Sequence, residues 1–219
     1  MMIIDYKKKY HKQIIRSCVE ALRKGKVVAY PTDTCYGLAV DATNARAIKK
    51  LYRVKERSAR QPMHIVVPSV IYAKKIVKWN KISSRLAKRF WPGPLTIVLA
   101  LKAKGQGLKL LSAGTGTLGI RRPKNNIALD LAKYLKKPIT TTSANPPNSL
   151  GGHDSYSADD IVEQFKGKKF RPGIIINAGK LPKRKPSALI KVNQDQSIQI
   201  LRQGPVSETK IRKILNFKS

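Results

Sequence analysis

Tyr30-Pro31-Thr32-Asp33-Thr34-Cys35-Tyr36-Gly37-Leu38 follows the apolar run Val27-Val28-Ala29 and is answered one helix later by Lys55-Glu56-Arg57. A buried strand that ends in a loop of hydroxyls and one carboxylate places polar groups where α/β folds keep their chemistry. The strand on the near side is expected over residues 26–30 and a second one over 36–40.

Working outward, Ile14, Ile15, Cys18, Val19 and Leu22 recur at helical spacing, which predicts a helix over residues 10–24 ended by Gly25. Thr43 or Asn44 caps a helix whose apolar face is Ala47, Ile48, Leu51, Tyr52 and Val54, leaving Lys55 and Arg57 at its C-terminal end. Strands are expected at 63–67, 96–101, 108–111, 118–121, 138–142, 173–177, 188–192 and 197–202. Helices are expected at 69–78, 83–90, broken by Trp91-Pro92-Gly93-Pro94, and 127–135. Ser157 and Asp160 form a capping box for a helix ending near Phe165, and a terminal helix starts at Ser207. Segments 166–171 and 183–185 read as basic, mobile loops. Strands that are sometimes consecutive and sometimes separated by helices argue an α/β fold on a twisted mixed sheet.

The 219 residues are enough for one well-buried core, and no run approaches the roughly 20 apolar residues of a membrane helix. The first residues carry Lys7, Lys8, Lys9 and Lys12 and no secretory signal, so a cytoplasmic protein is expected. Cys18 and Cys35 lack C-x-x-C spacing and are expected to be packed thiols of a reducing compartment, the loop position of Cys35 leaving exposure to substrate as its alternative. The formal charge of +33 comes from 45 basic and 12 acidic residues. Single surface lysines are ordinary, but the stretch between Arg57 and Leu129 holds no acid at all, which points to a polyanionic ligand or partner.

Several chemistries are set aside. Gly114-x-Gly116-x-x-Gly119 has the dinucleotide spacing, but Ile120-Arg121-Arg122-Pro123 follows where a helix is required. No Walker A sequence, Gly-x-Ser-x-Gly elbow or paired-carboxylate pattern occurs. The three histidines lack metal-ligand spacing, so no protein-built metal site is expected. What remains is a set of hydroxyl and basic residues at strand ends, suited to phosphate and carboxylate.

Five blocks in order, Tyr30-Pro31-Thr32-Asp33-Thr34 with Tyr36-Gly37-Leu38, Lys55-x-Arg57, Phe90-Trp91-Pro92-Gly93-Pro94-Leu95-Thr96, Gly119-Ile120-Arg121-Arg122-Pro123 and Ser143-Ala144-Asn145, resemble those of the YrdC-type threonylcarbamoyl-AMP synthases. Pro186-Ser187 and Leu201-Arg202-Gln203-Gly204 resemble the closing blocks, so the resemblance spans about residues 10–205. It implies a YrdC-like fold, a twisted mixed β-sheet flanked by helices with a basic central cavity, as one domain over 1–219 with 206–219 a C-terminal helix. It also implies a short form with no second domain. The implied activity makes threonylcarbamoyl-adenylate and pyrophosphate from L-threonine, bicarbonate and ATP, with magnesium carried by the ATP, toward the threonylcarbamoyl modification of tRNA. By position, Thr32, His64, Arg121, Thr141 and Ser187 resemble the threonine-binding set, Arg121 holding the carboxylate. Lys55, Arg57, Thr117, Ser143, Asn145 and Arg202 resemble the ATP-binding set. Lys55 and Arg57 are the catalytic candidates, offsetting charge on the reacting phosphorus and the departing pyrophosphate. Partners beyond the substrates would be tRNA or the downstream threonylcarbamoyl-transfer proteins, with no membrane.

The chain also departs from that pattern. Residues 146–152, Pro-Pro-Asn-Ser-Leu-Gly-Gly, are longer than the usual loop, so the hydroxyl expected soon after Asn145 has no assigned place. Ser187-Ala188-Leu189 replaces a Ser-Thr-Val block. Strand alternation lets only one of Arg121 and Arg122 face the cavity. Asp33 is expected to cap its own turn rather than act as a base. Two rivals rank lower: an RNA-binding or ribosome-associated factor of the same fold, and carbamoyl transfer of the hydrogenase-maturation type.

Overall fold

A computed structural model describes residues 1–216. In chain order the strands are β1 (Met2–Asp5), β2 (Val28–Pro31), β3 (Tyr36–Ala39), β4 (His64–Val66), β5 (Leu95–Ala100), β6 (Thr117–Arg121), β7 (Ile139–Ser143), β8 (Ile174–Asn177), β9 (Ala188–Val192) and β10 (Ile198–Arg202). The helices are α1 (His11–Arg23), α2 (Ala45–Val54), α3 (Val70–Ile76), α4 (Lys81–Phe90), α5 (Gln106–Ser112), α6 (Asn126–Leu135), α7 (Ala158–Gln164) and α8 (Glu208–Asn216). The strands form one mixed sheet in the order β1-β8-β2-β3-β7-β4-β6-β5-β9-β10. The α/β class and mixed sheet expected from the sequence are what the structure has.

Local chemistry explains most element ends. Asn44, Ser69, Asn80, Asn125 and Ser157 each accept a first-turn N–H, and Ser157 with Asp160 completes the capping box. Two expectations fail. Residues 108–111 lie in α5, because Leu108 and Leu111 sit one turn apart and both point into the core while Lys109 is exposed. A four-residue apolar run carries no period long enough to separate helix from strand. β1 has no counterpart among the expected strands. It is an edge strand, paired in parallel with β8 and largely exposed, so burial leaves little mark on its composition.

The segment expected to be a free loop at 166–171 is anchored instead. Lys168 pairs with Glu56 at 3.1 Å, and the Phe170 ring lies beneath Arg53 of α2, 5.7 Å from its guanidinium carbon.

Side chains on the two sheet faces build two cores. Leu38, Ile65, Ile97 and Ile190 pack beneath α2, α4, α5, α7 and α8. Val28, Tyr30, Ala39, Val66, Ile139 and Ile174 pack on the other face beneath α1 and α6. That second cover is partial. Strand alternation puts His64 on the same face as Val66, Thr141 on the same face as Ile139, and the register pairs Val66 with Arg121 and Arg121 with Thr96. Past α1 and α6, the face therefore continues as a row of polar side chains.

Candidate active site

That row lines a cavity of about 390 Å³. β4 contributes His64, β7 contributes Thr141 and Ser143, β6 contributes Arg121, and β5 contributes Thr96. The β2–β3 loop adds Thr32, Thr34 and Cys35, while Arg57, Ser187 and Arg202 close the rim.

The opening loop is held by its threonines. Thr32 Oγ1 donates to the Cys35 carbonyl at 2.7 Å and accepts from the Thr34 N–H at 3.1 Å. Asp33, expected to cap this turn, is turned away to Arg121: its carboxylate accepts from the guanidinium and from the Lys124 N–H. Both side chains of the Asp33–Arg121 pair are only 6% exposed, so each charge depends on the other. The reason for the correction is charge: a buried guanidinium outcompetes a neutral amide for the carboxylate. Arg121 keeps a buried Nε–H with no partner among the described residues. Arg121, not Arg122, lines the cavity.

Lys55 and Arg57 are set by the end of α2. Glu56 takes a φ of 46°, a left-handed turn that costs a non-glycine on the order of 1 kcal/mol and stops the helix. Lys55 is 4% exposed, and its ammonium donates to the Ser143 carbonyl at 2.9 Å, to the Asn145 carbonyl, and to Asn145 Oδ1 at 3.1 Å. Burial, then Arg57, pulls its pKa down to about 8. Lys55 and Asn145 are thus locked together behind the cavity wall rather than lining it. Arg57 does line it: one end donates to the Pro62 carbonyl at 3.0 Å, and its buried Nε–H has no partner among the described residues.

His64 sits at the centre. Burial, then the guanidiniums of Arg202, Arg57 and Arg121, push its pKa down to about 4, so the ring is neutral at physiological pH. Room for the ring comes from Gly119, where a Cβ would lie 2.4 Å from His64 Cδ2. The glycine spacing set aside as a nucleotide fingerprint has this local explanation: Gly114 and Gly116 turn the chain at φ of 79° and 66°, and Gly119 seats the imidazole. On the far rim Ser187 Oγ lies 2.9 Å from Thr96 Oγ1, and the Ser187 carbonyl accepts from Arg202 Nε at 3.1 Å.

A family model named for Sua5, YciO and YrdC, and described as telomere recombination, matches residues 20–204. The chain belongs to this Sua5–YciO–YrdC family. It is 36% identical to the threonylcarbamoyl-AMP synthase of Pyrococcus abyssi over 76% of its own length but only 48% of that protein's. A putative threonylcarbamoyl-AMP synthase of Methanocaldococcus jannaschii is 31% identical, and the match covers 95% of this chain and 94% of that one. The crystal structure of P. abyssi Sua5 complexed with L-threonine superposes with a TM-score of 0.88 at 31% identity, covering 99% of this chain and 61% of that one. The chain thus spans about half the length of several of the curated relatives it matches.

Against the residue set that the family resemblance implied, Thr32, His64, Arg121, Thr141, Ser187, Arg57, Ser143 and Arg202 converge on the cavity. Lys55 and Asn145 stand behind it, and Thr117 stands apart. Thr117 shares its face with Arg121 but lies four residues along β6, roughly 13 Å away, in a separate shallow cleft with Lys191. Thr34, one of the hydroxyls at the strand ends, also lines the cavity, whereas sequence reasoning gave no role to Thr96 and missed Asp154, both cavity-lining. Asp154 lies beyond the long loop. Ser155 pins the returning chain: its hydroxyl donates to the Ala144 carbonyl at 2.6 Å and its carbonyl accepts from the Tyr36 N–H at 2.9 Å. The Gln164 amide donates to the same hydroxyl at 2.8 Å. Ser149, the first hydroxyl after Asn145, is exposed outside the cavity. Among the described residues no group of three or more His, Cys, Asp or Glu is arranged to hold a metal ion, and no helix is long and apolar enough to cross a membrane.

Proposed function

We propose that this chain is a threonylcarbamoyl-AMP synthase, a nucleotidyltransferase acting in tRNA modification in the cytoplasm, with residues 1–219 forming one YrdC-like domain. The observation that carries the reading is the pair of cavity-lining guanidiniums, Arg121 and Arg57, each with a buried Nε–H awaiting an acceptor. Two anion sites in one cavity suit an amino-acid carboxylate and a phosphate chain.

In this reading Arg121 binds the threonine carboxylate through the donors Asp33 leaves free, and Thr32, His64, Thr141 and Ser187 surround the rest of the amino acid. A neutral His64 admits the substrate ammonium without charge repulsion. Once the ammonium has given its proton to solvent, the amine adds to the carbon of bicarbonate, water leaves, and the resulting carbamate oxygen attacks the α-phosphorus of ATP as the bond to pyrophosphate breaks. The step needs alignment and charge neutralisation rather than a protein nucleophile. Arg57, Arg202 and Ser143 meet the phosphates, while Lys55, itself held by Asn145, ties down the Ser143 carbonyl. Magnesium enters with ATP. The acid-free basic surface between Arg57 and Leu129 suits tRNA or a downstream transfer protein.

The test is to incubate the protein with ATP, magnesium, bicarbonate and labelled threonine. Pyrophosphate release that depends on threonine, with label in an adenylate, is the expected outcome. Release indifferent to threonine would sink the reading.

A further inference from the structure

Asp154 has no role in the chemistry above, yet among the described residues it is the one carboxylate lining a cavity otherwise edged by Arg57, Arg121 and Arg202. Asp33, close by in the chain's opening loop, is saturated by Arg121 and Lys124. The Asp154 side chain, half-buried, makes no hydrogen bond or ion pair with any described residue. It is held in position all the same, because the neighbouring Ser155 is tied to Ala144, Tyr36 and Gln164.

Its electrostatic neighbours say which wall it belongs to. The charge of Asp154 is felt at Lys55 and Arg202, the groups assigned to the phosphates and their support, and at Cys35. A bare carboxylate there repels a triphosphate, so it weakens the binding the arginines provide unless a cation stands between the two anions. Magnesium is commonly held by one or two carboxylates together with substrate phosphates rather than by an all-protein cage. With no cluster of three ligating side chains among the described residues, one protein carboxylate completed by phosphate oxygens and water is the arrangement these residues allow.

We propose that Asp154 is the protein ligand of the divalent cation carried on the nucleotide triphosphate, coupling magnesium to nucleotide binding in the cavity. The inference rests on the ATP-binding reading of the site and deepens it.

The experiment measures affinity for a non-hydrolysable ATP analogue, with and without magnesium, by titration calorimetry. It compares the wild type with Asp154→Asn and Asp154→Ser, and uses Asp159→Asn, an exposed acid of α7, as control. The wild type and control are expected to bind at least tenfold more tightly with magnesium. Both Asp154 variants should lose that gain to within about twofold, bind the metal-free analogue as well as or better than wild type, and keep wild-type threonine affinity. Folding of the variants is checked by circular dichroism, and no partner is lost in either. Retention of the tenfold gain in either folded variant overturns the proposal. A loss confined to threonine affinity also overturns it and makes Asp154 the ammonium site. A wild type that binds neither nucleotide nor threonine overturns the parent reading as well, whereas one that binds both while the variants keep the magnesium effect overturns this inference alone.

Discussion

On β4, Val66 is fully buried beneath α1 and α6, while His64, two residues earlier on the same face, looks into the cavity. On β7, Ile139 and Thr141 make the same change. About 7 Å of strand separates the firmest packing of this face from its functional part. The covering helices make the difference: α1 and α6 reach only part of the sheet, and where they stop the side chains become polar. The two halves are also stabilised differently. The covered half is held by apolar burial, at about 1.5–3 kcal/mol for each large side chain. The bare half holds its charges by pairing and clamping, so some of its functional residues are structural as well.

The sharpest way to break that comparison is Arg121→Ala. It removes the proposed carboxylate anchor and strands a buried Asp33, so a loss of about 3 kcal/mol in urea unfolding is expected together with a fall of about a thousandfold in turnover. Adding Asp33→Asn should restore most of the stability and none of the activity. Stability untouched by the single change would show that the pair does not hold this half.

Lys55→Met comes next. It leaves the carbonyls of Ser143 and Asn145 without their donor, for which a loss of about 2 kcal/mol and a drop in kcat on the order of a hundredfold are expected. The pH dependence separates clamp from bystander. The folded pKa near 8 lies below the ordinary lysine value of 10.5, so the unfolded chain binds the extra proton between them and wild-type stability rises with pH across that window. The Met variant should lack this rise in unfolding midpoints taken from about pH 8 to 10.5.

His64→Gln is expected to act mainly at acid pH. With its folded pKa near 4 against 6.5, the imidazole carries no penalty above 6.5, and wild-type stability falls as pH drops from there toward 4. The Gln variant should be less acid-sensitive, by on the order of 2 kcal/mol at about pH 4. Thr117→Ala should do least, within about 0.5 kcal/mol of wild-type stability and less than about threefold on the KM for ATP. A tenfold rise in that KM would extend the functional half of the face to the far end of β6.

Much of this site is legible in the amino-acid sequence. Thr32, Arg57, His64 and Arg121 stand beside strand ends or helix ends that periodicity and caps locate, and they converge on the cavity. Other features are not. The Asp33–Arg121 pair joins residues 88 apart, and no local pattern announces it. Lys55 reads as a free charge for phosphate because its three acceptors come from the end of β7, on a different stretch of chain. Asp154 escapes because the long loop after Asn145 interrupts the pattern, and only the anchoring of Ser155 reveals where the chain returns.

By itself the sequence determined most of the local facts: where all but β1 and α5 of the strands and helices lie, which faces are apolar, and that a cationic set is gathered at strand ends. These follow from backbone sterics, side-chain period and capping, all of which act over a few residues. The tertiary structure alone decided which face α1 and α6 leave bare, which charges are satisfied by each other, and which remain open to a ligand. Those depend on strand register and on contacts between residues far apart in the chain, where pairing and desolvation compete in one shared space.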